Sequence, residues 1–434
     1  MNYCLKNGRL IDPAAGRDCS VDIMVVDGRI SRVGPSLAGP SLAGQAAAAG
    51  CEIIDASPYI VMPGLIDLHV HLREPGEEDK ETIASGTRAA VKGGFTSVVA
   101  MPNTKPPADN GSVLAFVRAK AAEAKAARVY PVGNITKGGE GLELAEMGDL
   151  TANGAVAFSD DGRSVMNAEL ARNAFRYGQL FGKPFLLHCE DENLSTGGQM
   201  HEGFTSTRLG LKGYPSVAEE VMVARELLLA EETGARIHIQ HLSSKRSVEL
   251  IREAKKRGVK VTAEATPHHL ILTDEAVADY YTATKVNPPL RTEEDREALR
   301  AGLLDGTIDL IATDHAPHTR EEKNQEFGRA PFGMIGLETA LGLILTEFYH
   351  TGILSLAKIV DLLSLAPARL LGIPGGTLAE GSPADLILVA LDREWEVKEE
   401  EFASKSVNSP FIGWKLKGKA VATMVGGEWV YKEI

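Results

Sequence analysis

Residues 61–76 read VMPGLIDLHVHLREPG, an apolar run that ends in two histidines two positions apart, His69 and His71. In an extended strand, residues i and i+2 share a face, so both imidazoles can reach one divalent metal. Asp67, Arg73 and Glu74 crowd further polar groups around that strand end, where a purely structural strand has no use for them. A His-x-His pair by itself also occurs on solvated strand faces. Here the feature recurs: His188 in PFLLHCED, His241 in RIHIQHLSS and Asp314 in DLIATDHAPH each close a short apolar, β-branched run. Four strand ends carrying ligand-type side chains imply a metal-dependent hydrolase.

Working outward, the chain from about 61 to 371 alternates apolar runs with helical stretches, the pattern of repeated β-α units and a parallel sheet. Eight strands are expected, at 64–72, 96–101, 129–134, 155–159, 184–188, 236–241, 260–265 and 309–313, with helix-like segments such as 79–92, 113–127, 168–181 and 217–233 between them. Eight units in this length fit a closed (β/α)₈ barrel of the TIM type better than an open doubly wound sheet, and every residue singled out falls at a strand C-terminus, where such barrels place their chemistry. The two chain ends are strand-rich, with hairpin-like turns at Asp27-Gly28 and Gly426-Gly427. They are expected to pair into one small, discontinuous β domain (1–60 and 372–434) beside the barrel (61–371). Residues 34–50 hold GPSLAGPSLAG and an alanine run, read as an inserted low-complexity surface loop without function.

Composition bounds the partners. With 434 residues, 44% apolar and 24% charged, the chain can bury a large core. A net charge of −13 and a pI near 5.4 exclude a basic nucleic-acid surface and point to small-molecule partners. Cys4, Cys19, Cys51 and Cys189 are too few and too scattered for a disulfide framework, which fits a reducing compartment. With no signal-peptide pattern at the N-terminus and no apolar span long enough for a bilayer, a cytoplasmic protein without membrane contact is expected.

Taken together, GLIDLHVHLREPG, MPNT (101–104), HCED (188–191) and ATDHAPH (312–318) resemble the dihydroorotases of the long bacterial type (class I), within the cyclic-amidohydrolase superfamily. The resemblance runs through the whole chain. It implies two zinc ions per subunit: His69 and His71 with Asp314 on one, His188 and His241 on the other. Related hydantoinases bridge the metals with a carbamylated lysine, whereas GAVAFSDDGRSV at the corresponding strand end has none. The resemblance makes Asp161 the bridging carboxylate; by sequence alone its neighbour Asp160 competes. Imidazole nitrogen and carboxylate oxygen suit Zn²⁺, which lowers the pKa of water towards ~7, as attack on an unactivated amide requires.

The same resemblance assigns the substrate site. Arg73 would fork onto the carboxylate of dihydroorotate, as a guanidinium does well, with Asn103 sharing that carboxylate and His71 beside it. Asn287 and His318 would contact substrate, and the Phe332-Gly333 backbone would hydrogen-bond the pyrimidine ring. His268 and His269 have no ligand role in the family pattern and are expected in the pocket wall or just behind the ligands. The implied reaction is the reversible interconversion of dihydroorotate and N-carbamoyl-aspartate in pyrimidine synthesis, with Asp314 as proton acceptor and donor. The alternatives are a hydantoinase, dihydropyrimidinase or allantoinase, or a non-catalytic partner of aspartate transcarbamoylase. Arg73 argues against the first two, the missing lysine against all three amidohydrolases, and the full ligand set against the last. A homodimer and a transcarbamoylase complex are compatible with the enzyme.

Overall fold

The computed structural model describes residues 1–34 and 50–434; the low-complexity stretch at 35–49 lies outside the described residues. The strand that carries the two histidines, Leu65–Val70, is buried along its whole length. It pairs in parallel with Phe95–Ala100, which pairs with Arg128–Pro131. On the far side, Phe185–Leu187, Ile237–Ile239, Val261–Ala265 and Leu310–Ile311 form a second parallel run. Single bridges join the two: Gly133 to Phe158, Phe158 to Phe185, and His315 back to Val70. The ring of eight β positions therefore closes as the alternation predicts, with one difference. The fourth strand, expected over 155–159, contributes only the bridge at Phe158 rather than a ladder.

Helices cover the ring, and their ends are written in the sequence. Thr82 and Thr292 open Ile83–Lys92 and Glu293–Asp305 with capping boxes, and Asn110 and Asn167 accept from the first free backbone N–H groups of Gly111–Ala124 and Ala168–Gly178. These caps explain why the helix expected from 79 starts at Ile83 and the one expected from 113 starts at Gly111. Val217–Thr233 matches its expected span and stops at Gly234, in the left-handed conformation that favours glycine. Among the described residues, no helix is long and apolar enough to cross a membrane.

Strands from both chain ends form one eight-stranded sheet. Glu428–Lys432, Lys415–Val425, Leu386–Glu396, Ile60–Pro63, Tyr3–Asp12, Arg17–Val26 and Arg29–Gly34 lie in that order, and Glu52–Asp55 pairs with Tyr3–Asp12. The two hairpins turn at Asp27-Gly28 and Gly426-Gly427 as the sequence suggests. Arg128 ties this sheet to the ring by forking onto Asp385 at 3.0 and 3.1 Å.

The contact that sets the geometry of the ring's open end is Asp67. Fully buried, it accepts hydrogen bonds from Thr313 Oγ1 at 2.5 Å, Thr313 N at 3.1 Å and His69 N at 3.1 Å, stitching the first strand to the last directly beside His69 and Asp314. Burial pushes its carboxyl up to about 6 even against the bonds from Thr313. Replacing Asp67 by alanine orphans two buried backbone donors, so Asp67→Ala should lose about 2–6 kcal/mol of unfolding free energy at roughly 1–3 kcal/mol per unsatisfied group. Thr313→Val removes the Oγ1 donor to Asp67 and the acceptor of one backbone N–H, that of His315 at 3.0 Å, against two for Asp67→Ala, so it should lose clearly less in the same denaturant titration; equal losses would show that the stitch contributes nothing specific.

Candidate metal centre and substrate pocket

The strand ends bring His69, His71, His188, His241, Asp161 and Asp314 to one point, all of them buried. Asp161 is the hub. Its Oδ1 lies 3.4 Å from His69 Nε2, 3.7 Å from His188 Nδ1 and 3.6 Å from His241 Nε2, and its Oδ2 lies 3.4 Å from His71 Nε2. Asp314 Oδ1 lies 3.2 Å from His71 Nε2 and 3.5 Å from His69 Nε2. Two ligand groups result, His69-His71-Asp161 and Asp161-His188-His241, each with its donor atoms within 4.8 Å of one another and sharing one carboxylate.

The atoms at the centre fit metal ions. His69 Nε2 and Asp161 Oδ1 are buried without a hydrogen-bond partner among the described residues. His188 Nδ1 and His241 Nε2 face each other at 2.9 Å, two ring nitrogens converging on the same carboxylate. The donor set is imidazole and carboxylate, which suits zinc and its first-row neighbours. Charge points the same way. Burial alone would pull the His69 proton off, but Asp161 and Asp314 outweigh it and hold that imidazole well above its ordinary value. Asp161, in turn, is held well below the carboxylate range against burial by His69, His241 and His71. The centre demands positive charge. Asp160, the competitor in the sequence, does not reach it. Both its oxygens are taken by Asn134 Nδ2, the Ile135 and Thr136 N–H groups and Thr136 Oγ1, within 2.5–3.1 Å.

Outer partners aim the rings. His69 Nδ1 sits 2.9 Å from Glu264 Oε1, and Glu264 Oε2 sits 3.0 Å from His238 Nε2. Burial would raise Glu264, but the bonds to His238 and His69 bring it down to about 2, so it is a carboxylate that fixes the His69 tautomer with Nε2 inward. His71 Nδ1 meets Asn103 Oδ1 at 2.9 Å. His188 Nε2 meets Glu190 Oε2 at 2.9 Å, and the same oxygen accepts Asn287 Nδ2 at 2.8 Å. This leaves Asn287 Oδ1 buried and unpartnered among the described residues. Sequence reading missed Glu264, His238 and Glu190 as orienting groups. A lone acid in the apolar strand VTAEA was the available signal for the first.

His71, Asp161, His188, His241 and Asp314 line a cavity of about 370 Å³ together with Arg73, Asn103, Asn287, His318, Phe332 and Gly333. Arg73, His241 and Asp314 each adopt positive φ (62°, 30° and 49°), a costly conformation for non-glycine residues that clusters at functional sites. Arg73 Nε donates to Pro317 O at 3.1 Å, and its Nη2 lies 3.4 Å from His318 Nε2. His318 Nε2 also donates to Phe332 O at 2.8 Å. Gly333 has φ 130°, and a Cβ there would lie 2.8 Å from Ala316 Cβ, so only glycine fits. Its N–H is spent on Lys285 O at 2.8 Å, which leaves the Phe332 backbone as the part of this pair that can serve a ligand. His269 is used up on Thr266 Oγ1 and Pro288 O. His268 is buried, and burial lowers it to about 4; neither histidine lines the cavity.

A family model described as Dihydro-orotase-like matches residues 59–247. The chain is 56% identical over 433 residues to a dihydroorotase of Pelotomaculum thermopropionicum, covering 100% of this chain and 99% of that one. It is 50% identical to a dihydroorotase of Pelobacter propionicus, over the full length of both. Among solved structures it resembles an L-hydantoinase (dihydropyrimidinase) from Arthrobacter aurescens, with a TM-score of 0.87 and 27% identity over 99% of this chain and 96% of that one. A dihydropyrimidinase from Brevibacillus agri shares the fold, with a TM-score of 0.84 at 22% identity over 100% of this chain and 95% of that one. Half or more of all positions shared from end to end with those curated relatives, on a barrel that gathers four histidines and two aspartates at its mouth, means that this chain belongs to the dihydroorotase family.

Proposed function

We infer that this chain catalyses the reversible hydrolysis of dihydroorotate to N-carbamoyl-aspartate. The observation that carries the substrate is Arg73. Its side chain is partly buried, lines the cavity and forms no direct ion pair among the described residues, Glu77, Asp314, Asp161 and Glu322 acting on it only from a distance. A partly desolvated guanidinium with no carboxylate in direct contact has donors to spare, and a ligand carboxylate takes them up through a bidentate fork. Hydantoin and dihydrouracil have no such carboxylate to offer, so Arg73 favours the dihydroorotase reading over a hydantoinase-like one.

His69, His71, Asp161, His188, His241 and Asp314 would hold two zinc ions. Bound there, the ions supply Lewis-acid polarisation of an amide carbonyl and lower the pKa of water towards ~7. The chain's own groups do the rest. Arg73 and Asn103 anchor the ring carboxylate, and Asn287 Oδ1, kept outward by Glu190, accepts a ring N–H. As water adds to the ring carbonyl, its proton is held by Asp314. Against burial, the neighbouring His69 and His71 keep that carboxylate below its ordinary range and therefore ionised. Asp314 then returns the proton to the ring nitrogen as the C–N bond breaks. Ring closure runs the same path in reverse. The discontinuous domain (1–60 and 372–434) belongs to this reading as a support for the barrel (61–371). Four unpaired cysteines and the net charge of −13 support a cytoplasmic enzyme, whereas a homodimer and a complex with aspartate transcarbamoylase rest on the family resemblance alone.

Two substitutions test the reading. Asp314→Asn keeps an oxygen ligand but cannot accept a proton, so metal content by elemental analysis should stay near that of the parent while turnover falls about 10²–10⁴-fold in both directions. Near-normal rates would remove Asp314 from the proton-transfer role. Arg73→Met should also keep its metal, yet lose on the order of 2–5 kcal/mol in kcat/KM for dihydroorotate with little change in any trace activity on dihydrouracil. Equal losses on both substrates, or a parent enzyme that prefers dihydrouracil, would return the hydantoinase-like reading.

A further inference from the structure

Lys285 and Lys323 are buried, with 4% and 6% exposure, and neither forms an ion pair among the described residues. Both ammonium groups are turned onto one irregular segment of backbone. Lys285 Nζ donates to the carbonyls of Phe327 at 2.7 Å, Gly328 at 3.2 Å and Ala330 at 2.7 Å. Lys323 Nζ donates to those of Pro331 at 2.9 Å and Gly333 at 3.0 Å. The Lys285 ammonium also lies 4.8 Å from the centre of the Phe332 ring and 5.4 Å from that of Phe327, within cation–π range. The Lys285 carbonyl takes the Gly333 N–H. Residues 327–333 have no strand or helix to satisfy their carbonyls, so two lysines from elsewhere in the chain do what a ladder would otherwise do.

The arrangement is costly. Burial lowers Lys285 to about 8, and burial together with the charge of Lys285 lowers Lys323 to about 7, with Glu322 the nearby carboxylate that opposes this. Apolar side chains would avoid that cost, but they would leave four carbonyls unserved, since only Gly333 O has a further donor, Asn408 Nδ2 at 3.1 Å. The segment so held supplies Pro331, Phe332 and Gly333 to the cavity wall facing Asn287 and His318. We propose that Lys285 and Lys323 are positioning residues for substrate recognition, which act by fixing the course of residues 327–333 so that the Phe332 backbone meets the substrate ring. This rests on the dihydroorotase reading for the identity of the ring, but not for the hold on the segment.

The test uses the full-length, metal-loaded protein with Lys285→Met, Lys323→Met and the corresponding glutamine variants, which keep a neutral donor. A backbone that binds ring and transition state alike should, once displaced, raise KM for dihydroorotate about tenfold and leave kcat within about threefold. Hydrogen exchange should accelerate in 327–333 while the barrel strands and the metal content stay as in the parent, and glutamine should restore part of both effects. Where a methionine variant fails to fold, its glutamine counterpart supplies the measurement. Unchanged exchange in 327–333, or a fall in kcat at constant KM, overturns the proposal. A parent protein that does not turn over dihydroorotate sinks the substrate reading instead, and the exchange rates then decide the hold on the segment by themselves.

Discussion

The Asp161 carboxylate is the constraint around which the rest of the site is arranged. Four imidazoles from three strand ends approach its two oxygens within 3.4–3.7 Å, and a second carboxylate, Asp314, stands on the His69–His71 side. Packed this closely in a water-poor barrel mouth, the rings would be free to rotate their nitrogens away from the centre unless something held their far sides. That is the role of Glu264 behind His69, Asn103 behind His71 and Glu190 behind His188. Each outer bond selects which nitrogen faces inward, so the ligand set is fixed by groups that do not belong to it.

These outer bonds also join the metal centre to the cavity. Asn103 and Asn287 each use one end of the amide on the frame that aims a histidine, which leaves the other end for a ligand. Misplacing Glu190 would therefore disturb a histidine of the centre and a cavity-lining amide in one step. The barrel mouth is thus a single hydrogen-bonded unit, closed underneath by Asp67 between the first and last strands.

What the sequence made legible followed from short-range rules. Apolar runs ending in His69, His188, His241 and Asp314 marked strand ends because burial and alternation leave a direct trace. The fourth strand left the weakest ladder because its run is short and opens on Gly154, and only Phe158 bridges. Asp160 and Asp161 could not be told apart by composition, since both are acids at the same strand end; only the turn that consumes Asp160 separates them. Lys285 and Lys323 were invisible for a different reason. Lysine is ordinarily a surface residue, and nothing in KVNPPLR or EEKNQ shows that the backbone 327–333 folds over both ammonium groups.

The charge layout of the cavity makes the orientation of a ligand a consequence of the fold. The cavity combines an acidic cluster built to be neutralised by cations with the Arg73 guanidinium, which has no carboxylate in direct contact among the described residues. A ligand carboxylate placed among the histidines would leave the Arg73 donors without a direct partner, whereas a carboxylate on Arg73 takes them up in a bidentate fork. With the carboxylate on Arg73, the amide of a small cyclic substrate is the part left to face the histidines. On the proposed function, selectivity for an anionic ring and the placement of its scissile bond follow from one arrangement of charge rather than from two separate designs.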